Sequence, residues 1–306
     1  MGFRIWPFRG KGRSGSSPQL SVAGQTDVGR VRARNEDSYE VLWGEKSPQG
    51  IDALLVVADG MGGHAAGEVA SRMAVEGVVG LVTGFDSKIS TEDHDYLDAL
   101  GRVLQDVNTT VYQAGQDSDK RGMGTTCTVA VVLGDQLYVS HVGDSRAYLL
   151  RAGVLHQITK DHSWVEEQVA QGTLSSEEAR NHPNRNIITR AIGLEPRVKI
   201  DGYLVSLAAE DVVLLCSDGL TTMIEDSQIG SILVDNEPED VCRALINAAN
   251  KAGGHDNVTA AVIRVIGGPV NAPLPASSRA DTDTVDITRP STGWKILSRP
   301  FIKRTR

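Results

Sequence analysis

The stretch I-D-A-L-L-V-V-A-D-G-M-G-G-H, residues 51–64, decides the fold, because an apolar run of strand length ends in a carboxylate and a glycine-rich turn. A carboxylate at the end of a strand usually points out of the sheet edge rather than into the core. Four other stretches place an acid in the same way: V-R-A-R-N-E-D (Val31 to Asp37), G-D-S-R (Gly143 to Arg146), C-S-D-G-L (Cys216 to Leu220) and G-H-D-N-V-T (Gly254 to Thr259). If these strands end together, four or five acids share one pocket, and hard cations would relieve their mutual repulsion.

The order and separation of the five stretches resemble the metal-dependent protein phosphatases of the PPM or PP2C type, especially their compact bacterial members. The resemblance extends from about Ser21 to Ile266. One such stretch alone would be weak evidence, because D-G is a common turn dipeptide. The resemblance implies a hydrolase that removes phosphate from phosphoserine and phosphothreonine in proteins by attack of a metal-bridged hydroxide and opposes a protein kinase.

The resemblance also implies roles for the acids. Asp59 is expected to bridge two metal ions, with the backbone carbonyl of Gly60 on one of them. The other expected ligands of this pair, which are also expected to be catalytic, are Asp37, Asp218 and Asp256. Asp144 matches the position that, with the Asp218 carboxylate, holds a third, weaker ion in bacterial relatives. Oxygen-only ligation without a competing His/Cys cluster favours Mn²⁺ or Mg²⁺, as either two or three ions.

An arginine is expected to bind the substrate phosphate. Arg32 lies five residues before Asp37, where the family places that arginine, and a planar guanidinium suits the task through two parallel hydrogen bonds. Arg30 and Arg34 are close enough along the chain to be confused with it. Two neighbours of ligands, Glu36 and Asn257, are expected to orient water and carboxylates.

The general acid stays unassigned, because animal-type members have D-G-H where this chain has D-G-M-G-G-H. Met61 takes the place of the histidine, so either His64 or a metal-bound water could protonate the leaving group. Other polar residues favour structural roles. Arg146 is as well suited to an ion pair as to substrate, His141 lies among apolar residues, and His162 with Ser163 indicates a helix start.

The pattern of apolar runs predicts a mixed α/β (α+β) fold in which two packed, mainly antiparallel sheets are flanked by helices, as in a PP2C-like sandwich with a small flap. The predicted strands are 51–58, 126–133, 136–142, 146–150, 212–216 and 258–266, and the predicted long helices are 66–82, 95–115 and 238–252. A shorter helical pair, 163–180, contains the capping-box pattern S-S-E-E at 175–178 and matches the flap.

Composition and charge divide the chain into three parts. We predict a flexible basic segment at 1–17, a phosphatase domain at 18–267 with its flap at about 161–190, and a disordered Pro/Ser/Thr-rich tail with a basic end at 268–306. The whole chain carries −8, and each end carries +4, so the body carries about −16. An acidic body argues against nucleic acid as a substrate and agrees with metal binding.

The sequence further predicts a cytoplasmic protein without a membrane span. No apolar run approaches the roughly 18 residues of a spanning helix, and the N-terminus lacks the apolar core of a signal peptide. The three cysteines, Cys127, Cys216 and Cys242, are far apart and are expected to be reduced. Phosphorylated proteins are the expected partners.

Two rival functions stay open on the sequence alone. The first is a catalytically silent relative that senses or docks a phosphoprotein, and the second is hydrolysis of small phosphate metabolites. Silent relatives usually lose a metal ligand, whereas all four acids of the expected pair are present here. The sequence therefore favours an active enzyme over the silent relative and does not decide between protein and metabolite substrates.

Overall fold

The computed structural model describes residues 18–62, 66–83, 93–234, 236–267 and 283–286. The strands are β1 (Gln19–Asp27), β2 (Asp37–Trp43), β3 (Ala53–Met61), β4 (Gly124–Thr125), β5 (Cys127–Leu133), β6 (Gln136–Val142), β7 (Arg146–Arg151), β8 (Val154–Gln157), β9 (Asp201–Ser206), β10 (Val212–Cys216), β11 (Val258–Gly267) and β12 (Asp283–Asp286). The α-helices are α1 (Ala66–Thr83), α2 (Asp93–Ala114), α3 (Trp164–Ala170), α4 (Ser176–Arg180), α5 (Asp218–Thr221), α6 (Asp226–Val234) and α7 (Pro238–Lys251).

The strands form two sheets in which every described pairing is antiparallel. The first sheet has the order β1-β11-β10-β7-β8, and the second has the order β12-β9-β6-β5-β3-β2, with β4 paired to β3. The long helices α1 and α2 pack on the outer face of the second sheet, and α5 to α7 pack on the outer face of the first. The predicted sandwich of two antiparallel sheets flanked by helices is confirmed.

Strand β3 shows why the layers stack in this way, because it is buried on both faces. Leu54 and Val56 belong to the core under α1 and α2, whereas Leu55 and Val57 belong to the core between the two sheets. Successive side chains of a strand point to opposite faces, so a run without polar residues can join two cores. The last residues of β3 leave this double core and carry Asp59 to its edge.

The predicted elements agree with the structure to within a few residues. The strands at 136–142 and 212–216 have the predicted bounds, and the apolar positions of α2 from Leu97 to Val111 are buried on one face, as their spacing predicts. The elements without a prediction are the short strands β4 and β12, the less apolar strands β1, β2, β8 and β9 and the short helices α5 and α6. Their sequences are half-polar, so tertiary pairing rather than the local pattern decides their conformation.

Four residues of the predicted tail are part of a sheet. Strand β12 pairs antiparallel with β9, with Asp286 opposite Asp201 and Asp283 opposite Leu204. For these four residues the structure differs from the predicted disorder, because the edge of β9 supplies hydrogen-bond partners that the sequence pattern does not reveal. The segment 1–17 and the rest of the tail lie outside the described residues, and the domain boundaries remain predictions. Among the described helices, none is long and apolar enough to cross a membrane.

Candidate active site

The first two acids of the site face each other across neighbouring strands. Asp37 begins β2 and lies directly opposite Asp59 of β3 in the antiparallel register. Side chains of such a pair lie on the same face of the sheet with their Cβ atoms about 5 Å apart, so two carboxylates here repel each other. Asp37 is also tied to the other sheet, because its Oδ2 accepts hydrogen bonds from Ser217 Oγ at 2.7 Å and Thr259 Oγ1 at 2.6 Å.

The backbone around Asp59 is held from two sides. Its N–H donates to Thr126 Oγ1 at 2.8 Å, and its carbonyl accepts from the Thr126 N–H at 2.9 Å and from Thr125 Oγ1 at 2.9 Å. Gly60 follows, and a Cβ built on it would lie 2.1 Å from the carbonyl oxygen of Gly67 in the first turn of α1. Only glycine therefore fits where α1 packs against the end of β3.

Three more acids arrive from separate elements. Asp144 follows β6 after a single glycine, Asp218 begins α5 directly after β10 and Ser217, and Asp256 lies between α7 and β11. We call Asp37, Asp59, Asp144, Asp218 and Asp256 the acidic pocket. The structure thus brings together every carboxylate that the sequence predicts as a ligand.

The acidic pocket raises the pKa values of most of its own members. Burial is the largest cause and raises the pKa of Asp59 well above its usual range, and the charges of the other four pocket acids raise it further. Burial raises the pKa of Asp37 to about 7, against the hydrogen bonds from Thr259 and Ser217, which lower it. Burial followed by the Asp218 charge raises the pKa of Asp144, and burial followed by the Asp256 charge raises that of Asp218.

The chemistry of these oxygens fits hard divalent cations. Oδ1 of Asp37, Oδ1 of Asp144 and Oδ1 of Asp218 are buried without a hydrogen-bond partner. Buried carboxylate oxygens without donors are costly, and a bound cation would satisfy them. Within the described residues, no three His, Cys, Asp or Glu side chains form a ready-made cluster around one ion. The two findings agree if each ion takes only one or two carboxylates and completes its shell with carbonyl and water oxygens, as Mg²⁺ does.

Arg32 lies at the rim of the acidic pocket. Its Nη2 donates to Asp256 Oδ2 at 2.7 Å, and about half of its side chain is exposed to solvent. The two neighbouring arginines make backbone contacts, in which the Arg30 N–H donates to the Gly254 carbonyl and the Arg34 carbonyl accepts from the Asn257 amide. Of the three arginines, Arg32 is the one with a side-chain bond to a pocket acid.

Asn257 fixes the loop that carries Arg32 and Glu36. Its side-chain amide donates to the carbonyls of Val28 at 3.0 Å and Arg34 at 2.8 Å, and its Oδ1 accepts the Glu36 N–H at 2.8 Å. The Asn257 N–H also donates to Asp256 Oδ1 at 2.8 Å. Buried and fully bonded, Asn257 sets the position of both the loop and the adjacent acid.

Comparison with known proteins identifies this arrangement. The sequence profile described as Protein phosphatase 2C matches residues 29–260, more than half of the chain. The chain belongs to the protein phosphatase 2C family. It is therefore a metal-dependent serine/threonine phosphatase, and the predicted family and activity are confirmed.

Individual relatives of this phosphatase cover about four fifths of the chain. The serine/threonine phosphatase stp of Listeria monocytogenes is 39% identical over 244 residues, which are 78% of this chain and 93% of the relative. A solved serine/threonine phosphatase of S. agalactiae is 36% identical with a TM-score of 0.74 over 81% of this chain and 100% of that one. The catalytic domain of phosphatase PstP, solved in complex with two manganese ions, is 37% identical with a TM-score of 0.68 over 81% and 98%.

The remaining polar residues of the phosphatase divide into several cases. The guanidinium of Arg146 donates to both carboxylate oxygens of Asp161 at 2.8–3.0 Å and to the Tyr148 hydroxyl at 2.8 Å, so its place is an ion pair. His141 is buried, with Nδ1 bonded to Thr128 Oγ1 at 2.9 Å. Met61 ends β3 opposite Gly124, and His64 lies outside the described residues, so the general acid stays unassigned.

The segment at about 161–190, predicted as a flap and called the flap below, has the predicted helix signals. Ser163 caps α3 by accepting the Glu166 N–H, and Ser175 with Glu178 forms the capping box of α4. The supporting hydroxyls were missed from the sequence, namely Thr125, Thr126, Ser217 and Thr259. Ser217 directly precedes the predicted ligand Asp218, and Thr259 follows the predicted ligand Asp256 by three residues. This proximity is a weak signal, because Ser and Thr are common at turns.

Proposed function

We propose that the acidic pocket holds two Mn²⁺ or Mg²⁺ ions through Asp37, Asp59, the Gly60 carbonyl, Asp218 and Asp256, with a third and weaker ion at Asp144, and that Arg32 binds the phosphate of a phosphoserine or phosphothreonine in a protein. The observation that supports this most strongly is the set of three buried carboxylate oxygens without partners in one repelling cluster. The manganese-bound PstP domain supports the choice of metal.

Bound ions would lower the pKa of a water molecule and would neutralise negative charge on the phosphoryl oxygens. The chain's own residues set the geometry for this. Ser217 and Thr259 donate to Oδ2 of Asp37 and leave its Oδ1 without a hydrogen-bond partner, and the Asn257 N–H donates to one oxygen of Asp256. These bonds hold the carboxylates of Asp37 and Asp256 in place before substrate arrives, so little reorganisation is needed when it binds.

Arg32 would act on the substrate from the rim. Its pairing with Asp256 holds the guanidinium beside the pocket, and its exposure leaves further N–H donors free for a phosphate. Two parallel hydrogen bonds from a guanidinium suit a phosphate monoester dianion. We propose that this contact binds substrate and that the pocket performs the hydrolysis.

The partners and location of the phosphatase follow as proposals from the same chemistry. Phosphorylated proteins are its substrates, and a serine/threonine protein kinase of the same cell is its functional counterpart. The acidic body disfavours nucleic acid at the site, and a cytoplasmic location remains a prediction. The tail threonines Thr282, Thr284 and Thr288 lie beyond the pocket elements in sequence and are not part of this proposal.

The decisive experiment measures phosphate release from phosphothreonine and phosphoserine peptides by the full chain after EDTA treatment, with and without added Mn²⁺. The proposal requires Mn²⁺-dependent release. Arg32→Ala should raise KM for the peptides and leave Mn²⁺ affinity unchanged, whereas Arg243→Ala, an exposed arginine paired with Asp240 on α7, serves as the matched control. Peptide binding without release, or turnover of small phosphate esters alone, would overturn the proposed protein phosphatase function.

A further inference from the structure

The two ends of the flap are joined to each other at its base. The Thr189 N–H donates to the His162 carbonyl at 2.8 Å, and the Trp164 N–H donates to the Ile187 carbonyl at 2.8 Å, with Ser163 bridged to Ile188 between them. The chain therefore leaves and re-enters the domain at one place. The contacts that fix His162 therefore also fix the root of the flap, residues 162–164 and 187–189.

His162 is bonded reciprocally to Gly143, the residue before Asp144. The His162 N–H donates to the Gly143 carbonyl at 2.7 Å, and the Gly143 N–H donates to Nδ1 of the His162 ring at 3.0 Å. Since Nδ1 accepts from an N–H, the ring proton is on Nε2. Nε2 then donates to Asp201 Oδ2 at 3.2 Å, and Arg190 donates to the other oxygen of Asp201 at 2.8 Å.

Gly143 lies between the His162 ring and Thr126, the residue that is bonded to the backbone of Asp59. Its φ is +114°, and a Cβ added to it would lie 2.5 Å from the Thr126 side chain. Only glycine therefore fits at this position. Thr126 is the residue whose hydroxyl accepts the Asp59 N–H. A continuous set of contacts thus runs from the flap through His162 and Gly143 to Asp144, and through Thr126 to Asp59.

We propose that His162 is a positioning residue that couples the flap to the metal site, holding the Asp144 loop through Nδ1 and the flap root through Nε2 and Asp201. The half concerning Asp144 rests on the proposed function of that acid, and the half concerning the flap does not. The ring is buried, and both of its nitrogens are bonded within the chain. Its effect on catalysis comes through the groups that it orients.

Two substitutions separate the two bonds of the ring. The side-chain oxygen of His162→Asn can replace Nδ1 as acceptor for Gly143 but cannot reach Asp201, and the amide of His162→Gln can replace Nε2 as donor to Asp201 but loses the bond to Gly143. We expect His162→Gln to lower kcat about 10-fold or more with little change in KM, and His162→Asn to raise KM for phosphopeptides more than it lowers kcat. His156→Gln on β8 is the matched control.

Amide hydrogen exchange gives a readout that does not depend on activity. In His162→Gln, exchange should accelerate at Gly143 and Asp144 and stay slow at the flap root, whereas His162→Asn should show the reverse pattern at 162–164 and 187–190. If either variant fails to fold, Arg190→Gln leaves the ring intact and should accelerate exchange at the flap root alone. Wild-type exchange in both segments, or the same loss in both segments for both variants, would overturn the coupling.

A double-mutant cycle tests whether His162 acts through Asp144. Combining His162→Gln with Asp144→Asn should lower kcat no further than Asp144→Asn alone, because the first residue only positions the second. Fully additive losses would overturn that route. If the wild-type chain shows no Mn²⁺-dependent turnover, the proposed function fails, while the exchange pattern still tests the link between the flap and the Gly143 loop.

Discussion

Asp144 and Arg146 are two residues apart, yet their charged groups have opposite surroundings. Oδ1 of Asp144 has no hydrogen-bond partner and lies near the other acids of the acidic pocket, whereas Arg146 is paired with Asp161 through two of its nitrogens. A second pair of the same kind joins Arg151 to Asp211, whose side chain is 1% exposed. We call Arg146–Asp161 and Arg151–Asp211 the paired ions.

The comparison teaches how to distinguish structural charges from functional ones. Each of the paired ions has its counter-charge and hydrogen bonds within the chain, so it can be buried without an external partner. In the part of the chain that the structure describes, Arg32 is bonded to one of the five pocket acids, and three pocket carboxylate oxygens have no hydrogen-bond partner, so the folded chain alone leaves the acidic pocket unsatisfied. A protein retains such a cluster where an outside ligand completes it.

The largest expected effect comes from removing a shared acid of the pocket. Asp59→Ala or Asp218→Ala should lower Mn²⁺-dependent turnover by at least about 1,000-fold, roughly 4 kcal/mol of transition-state stabilisation. The metal-free fold should be at least as stable as wild type, because the substitution removes one of several repelling charges. Steady-state kinetics and thermal melts in EDTA measure both, with the exposed Asp240→Ala as the control. Wild-type turnover would contradict the assignment of the pocket.

The second prediction concerns the paired ions and has the opposite sign on stability. Asp211→Ala removes the carboxylate that pairs with the Arg151 guanidinium and also removes the acceptor of the Ala208 N–H. We expect a loss of about 3–5 kcal/mol in the free energy of unfolding, with kcat per folded molecule unchanged. Denaturant unfolding and active-site titration test this. A loss below about 1 kcal/mol would remove the distinction between the two groups of charges.

A smaller effect is expected at Asp144, the acid nearest to the paired ions in sequence. Asp144→Asn keeps the shape of the side chain but supplies a poor metal ligand. Turnover should fall about 10- to 1,000-fold, roughly 1.4 to 4 kcal/mol, with little change in KM and with the two tight ions retained. Calorimetric Mn²⁺ titration beside kinetics decides the result. Loss of tight binding would place Asp144 in the main pair, and an unchanged kcat would make it a turn residue.

The smallest effect is on the pH dependence of metal-free stability. The pKa of Asp37 is raised to about 7, so its contribution to stability is complete below about pH 4, where both states are protonated, and is lost as pH rises through about 7. In EDTA, the difference in Tm between wild type and Asp37→Asn should therefore shift against wild type from pH 5 to pH 8. The buried His141 and His162 are present in both proteins, so the difference in Tm removes their contribution. Their pKa values are lowered, so each destabilises the folded state at acidic pH.

Added Mn²⁺ provides the counterpart of that measurement. The ion binds the ionised carboxylate, so the loss of wild-type stability with rising pH should disappear when Mn²⁺ is present. Asp37→Asn should respond less to the ion at the same concentration. A flat difference between wild type and variant in EDTA would mean that the pocket repulsion is relieved within the chain, as it is in the paired ions.

The sequence predicted three acids of the pocket, Asp59, Asp144 and Asp218, because each stands at the end of a strand-like run, whereas Asp37 and Asp256 stand at or before the start of a strand. Asp59 and Asp218 follow the apolar runs of β3 and β10, and both runs are strands in the structure. Asp37 was predicted only by its motif, since β2 is half-polar and its conformation depends on pairing with β3. The Asp37–Asp59 contact is a matter of register, which single-strand patterns do not determine.

What the sequence did not predict are the groups that hold the acids in place. Thr259 reaches Asp37 from β11, Thr126 reaches Asp59 from the residue between β4 and β5, and His162 reaches Gly143 from the flap. Such bonds join residues that are distant along the chain, and a hydroxyl or an imidazole has no spacing rule that would identify its partner. His162, predicted only as part of a helix start, is the clearest example.

Because the root of the flap is closed, the length and sequence of the segment between its ends can change without moving those ends. Because residues 162–164 and 187–189 are already joined, the loop between them begins and ends at the same point, whatever its content. Closing a longer loop over a fixed root costs only about 0.6 kcal/mol for each doubling of its length. Residues 165–186 can therefore change in length or sequence at a small cost in stability, while the root keeps its bonds to Gly143.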